Sequence, residues 1–453
     1  MTQLFALHSA YGLATAAAAL DGDLLGARGE RILMPFVSST VPELAVGIAH
    51  DPALASLRAR FDRIEGLDAV LGPLHPSSWQ PEAPELPVLR RLLTRAWALE
   101  DDLEILVQSP QVAPARTLLS LFPHARITII GDGLMTYSPM RVILPHTVTA
   151  RIGGVVHADV VPGVRPLVAA PTATPVPVPV PPALFAAALA ETAVGIDDTA
   201  DLESRIQGEP SALVLGQYLS ALGLVSDRDE VALQQRMIDR AVGYGAQHVV
   251  FKPHPAAPPR LADALRARAE AHGVAFHEYR GALAAELLAE RIDAQAVIAG
   301  FSTALPTVHT LFGRTIDAVG ADTVLARLSP YENSNRIPAT IVDALTRPDS
   351  PFADPERMQL LVDAVGYAMQ PVVAAHLRPR AEELLARISA SDRARYFAPD
   401  RLAELRLPGA PRETVVRRAL RPVGGIGRIE QLRLTAAGGR RRIGRAWRAL
   451  RGR

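Results

Sequence analysis

The 453-residue chain contains no cysteine, which removes disulfides, thiolate zinc sites and thiol nucleophiles from consideration. Lysine is nearly absent as well. Of 48 basic residues, 47 are arginine and one is Lys252. A composition that has drifted this far toward arginine is expected to replace any lysine that tolerates it, so Lys252 reads as chemically required. Aromatic residues are scarce, at 5%, which fits a soluble α/β protein rather than a surface that stacks nucleic-acid bases. No apolar run reaches the ~20 residues that span a bilayer. The segment from Met1 to His8 lacks the basic flank and long apolar core of a secretory signal, so the body is expected in the cytoplasm. Net charge is close to absent, at +1, but this conceals an asymmetry. Arg412 to Arg453 carries 13 arginines against Glu413 and Glu430, or +11, which leaves about −10 on the preceding 411 residues.

What is present is a repeated strand–loop–helix alternation, the pattern of a doubly wound parallel sheet. Strands are predicted at 4–9, 32–37, 67–71, 103–108 and 126–130. Helices are predicted at 11–20, 53–61, 88–99 and 113–121, and an extended stretch at 151–161. The alternating prolines of 171–182 favour an extended spacer. Beyond it, strands at 212–215, 247–252, 274–277, 294–299 and 314–319 alternate with helices at 230–243, 258–271 and 283–288. A helix is expected from Ser302 or Thr303, and helices over 356–388 close the second half, one of them able to cross back to the first. The reading is therefore two Rossmann-like domains facing across a cleft, an architecture that resembles the GT-B type, with domains at 1–170 and 183–390, the linker 171–182 between them, and a basic tail at 391–453. In that tail Ile443, Trp447 and Leu450 among arginines suit an amphipathic segment on anionic lipid. A disordered tail binding nucleic acid non-specifically is the alternative; no specific nucleic-acid partner is expected.

Three strand-end sites are expected to face the cleft. Gly131-Asp132-Gly133 places a carboxylate between residues without bulk, allowing close approach. Lys252-Pro253-His254-Pro255 holds an ammonium and an imidazole in a stiff turn, suited to an anionic ligand needing a point charge and a proton donor. Ser302-Thr303 offers hydroxyls and free backbone N–H groups at a helix start, a ready phosphate site. Gly216-Gln217, Ser9 and Tyr11, after the first strand of each half, are further cleft-lining candidates. No metal-ligand cluster is expected.

The order of these sites resembles the D/E-D/E-G, HP and S/S-T motifs of bacterial sialyltransferases, most nearly the capsular α-2,8-polysialyltransferase group, over residues 1 to about 390. The acidic residue usual before Asp-Gly is Gly131 here. The resemblance implies an inverting, metal-independent transfer of sialic acid from CMP-sialic acid to a glycan or glycolipid acceptor in cell-surface polysaccharide synthesis. It needs no cofactor beyond the CMP-sugar. It makes Asp132 the general base and His254 the group that assists the departing phosphate, with Lys252, Ser302 and Thr303 holding phosphate oxygens. The enzyme would lie on the inner membrane face, held through Arg412–Arg453. Other cytidine-nucleotide-dependent envelope transferases, moving glycerol phosphate or another keto-sugar, stay open. So do a serine hydrolase built on Gly300-Phe301-Ser302-Thr303-Ala304 and a non-catalytic assembly protein.

Overall fold

The computed structural model describes residues 1–411 except 27–28, 39–46, 169–174, 222, 255–256 and 258–259. Met1–Ala398 forms one compact unit and Pro399–Arg453 groups apart; of the latter, the helix Pro399–Leu405 is described. Parts of several sequence expectations lie outside the described residues: Ser39-Thr40, residues 171–174 of the proline run, Pro255, Pro258-Pro259 and the arginine tail.

Within the large unit the apolar runs build two parallel sheets. The first contains β1 (Thr2–Leu7), β2 (Arg31–Pro35), β3 (Arg63–Ile64), β4 (Leu103–Val107), β5 (Arg126–Ile130), β6 (Ile152–Ala158) and β7 (Val176–Val180), in the order β3-β2-β1-β4-β5-β6-β7. The second contains β8 (Ser211–Leu215), β9 (His248–Lys252), β10 (Ala275–Glu278), β11 (Ala296–Ala299) and β12 (Thr315–Ala318), in the order β10-β9-β8-β11-β12. Leu4, Phe5, Ile105, Leu106, Val249, Val250, Val297 and Ile298 are fully buried. Helices cover both faces of each sheet, which is why these strands read as continuous apolar runs rather than alternating ones. In both sheets the strand order reverses once, between β1 and β4 and between β8 and β11. Such switch points open a crevice at the carboxyl ends of the strands.

The first helix, α1 (Ala10–Asp21), starts on a Ser9 cap and is half alanine, thin enough to lie close to the sheet. Next to it packs α2 (Pro182–Glu191), with Phe185 against Tyr11 at a ring separation of 4.9 Å. In the second half α3 (Ala304–Phe312) follows β11. Later comes α4 (Pro355–Met369), capped by Asp354, whose side chain accepts from the Glu356 and Arg357 amides. It crosses back to the first half as expected: Arg165 N donates to Gln359 Oε1 at 2.5 Å, and Gly366 faces Leu167 so closely that a β-carbon would lie 2.5 Å from Cδ1.

Four expectations need correction. Leu67–Leu71 is a short helix with Leu67 buried and Val70 exposed, and the edge strand is Arg63–Ile64 instead. The helix placed at 53–61 contracts to a 3-10 turn at Pro52–Leu54 and one turn at Ala55–Arg58. The proline run is not a free spacer, because Val176–Val180 is the edge strand β7, in parallel register with β6. Proline is compatible with an edge when its missing N–H faces outward. The Val180 carbonyl accepts from Asp159 N, so Val176, Val178 and Val180 face β6 while Pro177 and Pro179 point away. Finally, the tail does not begin at 391: Ala390–Tyr396 is a helix capped by Ser389, with Tyr396 and Phe397 buried.

Candidate functional site

The carboxyl end of β5 runs into Gly131-Asp132. A β-carbon on Gly131 would lie 2.6 Å from Thr136 Oγ1 and 3.0 Å from His157 Cβ. The position usually acidic in this motif therefore has no room for a side chain here. Asp132 N donates to Thr136 Oγ1 at 2.8 Å, which fixes the turn, and Gly133 adopts φ +53° to open a 3-10 turn over Gly133–Tyr137.

The orientation of the Asp132 carboxylate follows from hydrogen counting. Ser9 Oγ accepts from Gly12 N at 3.0 Å and from Gln108 Nε2 at 2.9 Å. Its one proton is left for Asp132 Oδ1, at 3.1 Å. Among the described residues Oδ2 has no hydrogen-bond donor, so it can receive a proton. Gln108, fully buried at the end of β4, also accepts from His8 N at 2.9 Å and from His8 Nδ1 at 2.7 Å. This bridges the first switch point. Gly12 is required by the same bridge, since a β-carbon there would lie 2.2 Å from Gln108 Nε2. The His8 ring stacks on Phe36 at 5.3 Å. Burial lowers the pKa of its imidazole, opposed by the charge of Asp132. A cavity of about 770 Å³ opens beside these strand ends, lined by His8, Phe36, Gln80, Leu86, Gln108 and Arg116 among others.

The second switch point is bridged in the same way. Gln217, after β8, accepts from Phe301 N at 2.6 Å, and Gly300 leaves the space this needs, a β-carbon there lying 2.4 Å from Gln217 Oε1. Gln217 therefore braces the Ser302-Thr303 turn, while Gly216 lies under the Phe251 ring. The helix begins at Ala304, with Ser302 Oγ accepting from Ala304 N at 3.2 Å. Thr303 meets the other half of the molecule: a β-carbon on Gly133 would lie 2.6 Å from Thr303 Cγ2. The Asp-Gly and Ser-Thr turns are thus in van der Waals contact, as their joint placement in one cleft requires.

Lys252 ends β9, half-buried. Its ammonium donates to the Gly281 carbonyl at 3.1 Å and lies 4.7 Å from the Tyr279 ring centre. That loop is tied down by Asp198, which accepts from Tyr279 Oη at 2.7 Å and from Ala282 N at 2.9 Å. Burial lowers the Lys252 pKa, opposed by Asp198 and Glu286. His254 is exposed in the turn that follows. Tyr11 completes the seam. Burial raises its pKa well above the ordinary tyrosine value, reinforced by Glu286 and Tyr137 and opposed by the Thr307 side chain. The Glu286 carboxyl is pushed up by its own burial, with Lys252 opposing. His8, Gln108 and Glu286 were not singled out from the sequence. The first two left a trace, each being a polar residue that ends a buried apolar run; Glu286 lies inside an ordinary-looking helix and left none.

Two doubly wound domains whose switch-point turns meet in one cleft, with a helix crossing back, have the GT-B type of architecture. The alpha-2,8-polysialyltransferase (POLYST) family model matches residues 3–316, and the chain belongs to that family. It is a sialyltransferase-like glycosyltransferase, and the family implies a nucleotide-sugar donor and a glycan acceptor. Among solved structures, similarity extends to the GT-B domain (residues 113–497) of a sialyltransferase from Photobacterium damselae, at 10% identity, TM-score 0.39, covering 76% of this chain and 96% of that one. The S. aureus MnaA–UDP co-structure matches at 10% identity and TM-score 0.38, covering 82% and 97%. A UDP-glucosyltransferase from Polygonum tinctorium matches at 14% identity and TM-score 0.38, covering 84% and 97%. No curated protein sequence matches.

Proposed function

We propose that the protein transfers sialic acid from CMP-sialic acid to a glycan hydroxyl in cell-surface polysaccharide synthesis, by one inverting displacement that uses no metal. The observation that carries this is the contact between Gly133 and Thr303, which sets the Asp132 carboxylate beside the phosphate-type turn of the other domain. The acceptor glycan occupies the cavity at the ends of β1, β2 and β4, in the domain spanning about 1–170. The donor lies against β8, β9 and β11, in the domain beginning near 183. Asp132 Oδ2 takes the proton of the attacking hydroxyl as its oxygen bonds to the anomeric carbon. The bond from that carbon to the phosphate oxygen breaks, and CMP leaves. His254 protonates or donates to the departing phosphate. Ser302 and Thr303 hold its oxygens, and Lys252 supplies positive charge. A monophosphate leaving group has no diphosphate to neutralise, so Lys252 and the helix terminus suffice in place of a divalent ion.

The test is transfer by Asp132→Asn with EDTA present throughout. Turnover should fall by ~10²-fold or more while CMP affinity holds. The wild-type protein should keep its activity in EDTA and should hydrolyse CMP-sialic acid but not CDP-glycerol. Near-normal transfer by the variant would remove Asp132 from its role. Activity that needs added magnesium, or a preference for CDP-glycerol, would redirect the reading to another cytidine-nucleotide donor.

A further inference from the structure

The helix Leu86–Ala96 lies at the rim of the acceptor-side cavity, with its first residue, Leu86, in the cavity lining. Its inner side packs on the core through Leu93, with Leu86 and Leu89 partly buried against the same cluster. At 100° per residue, Val88, Arg91, Leu92 and Arg95 fall within one arc opposite that side. Val88 and Leu92 are 60% and 58% exposed, unusually bare for large aliphatic residues spaced one turn apart. Arg91 and Arg95 are exposed between them and make no ion pair or hydrogen bond with any described residue. The helix carries no acidic residue at all. Exposed arginines without an ion pair occur elsewhere on the body, at Arg116, Arg141 and Arg236; what sets this helix apart is that two of them flank bare aliphatic side chains.

We propose that this face is a membrane-docking surface: Val88 and Leu92 insert among the headgroups of an anionic bilayer while Arg91 and Arg95 pair with the lipid phosphates. An anionic bilayer satisfies both features at once, the phosphates taking the two unpaired guanidinium groups and the headgroup region taking the bare aliphatic side chains. The position also has a consequence for the acceptor. A helix lying on the bilayer holds the cavity rim at the surface, where a lipid-anchored glycan would enter. The inference rests on the cavity being the acceptor side only for that consequence; the docking itself stands on the helix.

The absence of cysteine makes the test direct. Leu92→Cys in the full chain, labelled with an environment-sensitive nitrobenzoxadiazole probe, is mixed with vesicles of equal parts phosphatidylglycerol and phosphatidylcholine. Val194→Cys, 79% exposed in a loop of the second domain, serves as the control. The probe at 92 should shift to the blue, brighten roughly threefold and be quenched by brominated lipid, while the probe at 194 should not change. In the unlabelled full chain Arg91→Gln/Arg95→Gln should weaken vesicle binding about tenfold at low salt and leave transfer to a short soluble acceptor unchanged. A silent probe at 92 on chains that have sedimented with vesicles would overturn the proposal. So would an unchanged vesicle affinity accompanied by weaker binding of a sialic acid oligomer, since the arginines would then read the glycan instead of the lipid.

Discussion

Asp132 is held by a serine that has nothing left to give elsewhere. Because Gln108 and Gly12 both donate to Ser9 Oγ, the serine proton is directed at Oδ1, which favours the orientation that leaves Oδ2 to receive a proton. Gln108 therefore acts on Asp132 through Ser9, as a positioning residue. Replacing it by leucine, close in size, frees that proton and leaves the His8 and Ser9 amides without their acceptor. Gln108→Leu should lower kcat about tenfold with KM for the donor unchanged, because the donor side is braced separately by Gln217. It should also cost about 1–3 kcal/mol of stability in urea unfolding, the usual scale for orphaned buried donors. An equal loss of kcat with a raised donor KM would mean that the cleft as a whole had shifted. At this scale the sequence was informative where chemistry sits beside glycine or proline at the end of an apolar run, as with Asp132, Lys252 and Ser302. It was uninformative about partners 100 residues apart. Nothing near Ser9 announces Gln108, and their pairing exists only because β1 and β4 are neighbours in the sheet.

Among the elements, β7 shows how one composition serves two readings. Alternating proline reads as a spacer because each ring fixes an extended backbone and removes a donor. An edge strand needs only every second N–H, and the prolines here occupy the outward positions. Val178→Pro should cost about 3 kcal/mol by removing an inward donor, whereas Pro177→Val should be nearly neutral in the monomer but open an unpaired edge. The check is urea unfolding together with the concentration dependence of light scattering; equal costs for the two changes would reverse the assigned facing. The opposite ends of β9 and β10 carry a pH-sensitive contact. His248 Nε2 faces Glu209 Oε2 at 2.8 Å and His248 Nδ1 faces His277 Nε2 at 2.9 Å. With the carboxylate accepting, His248 carries its proton on Nε2 and can only accept from His277 if both rings are neutral. Burial, then His248 and Arg205, lowers the His277 pKa below 6.5. The unfolded chain thus binds a proton that the folded one refuses, and stability should fall as pH drops below about 6.5 toward the folded value. Burial lowers His8 and His157 too, adding the same sign. His277→Gln should flatten part of the slope of urea midpoint against pH; an unchanged slope would leave the dependence to His8 and His157.

For the molecule as a whole, the central fact is how the charge is divided. A body of about −10 is repelled by an anionic bilayer, while the segment Arg412–Arg453, at +11, is attracted to it. We propose that this segment tethers the enzyme to the inner face of the cell membrane, where a lipid-linked acceptor is found. Each arginine near an anionic surface contributes on the order of 1 kcal/mol, more than enough to outweigh repulsion of the body, which a Debye length of about 8 Å screens at physiological salt. Both sheets and the returning helix α4 lie before residue 399. A chain ending at Ala410 should therefore keep its unfolding midpoint and its turnover on a short soluble acceptor. Its sedimentation with vesicles of phosphatidylglycerol and phosphatidylcholine should be lost at physiological salt. At low salt the screening weakens and a residue of binding should persist through Val88, Arg91, Leu92 and Arg95, to be abolished by Arg91→Gln/Arg95→Gln in the shortened chain. Vesicle binding by the shortened chain equal to that of the full chain at both salts would show that the arginine segment serves a different partner.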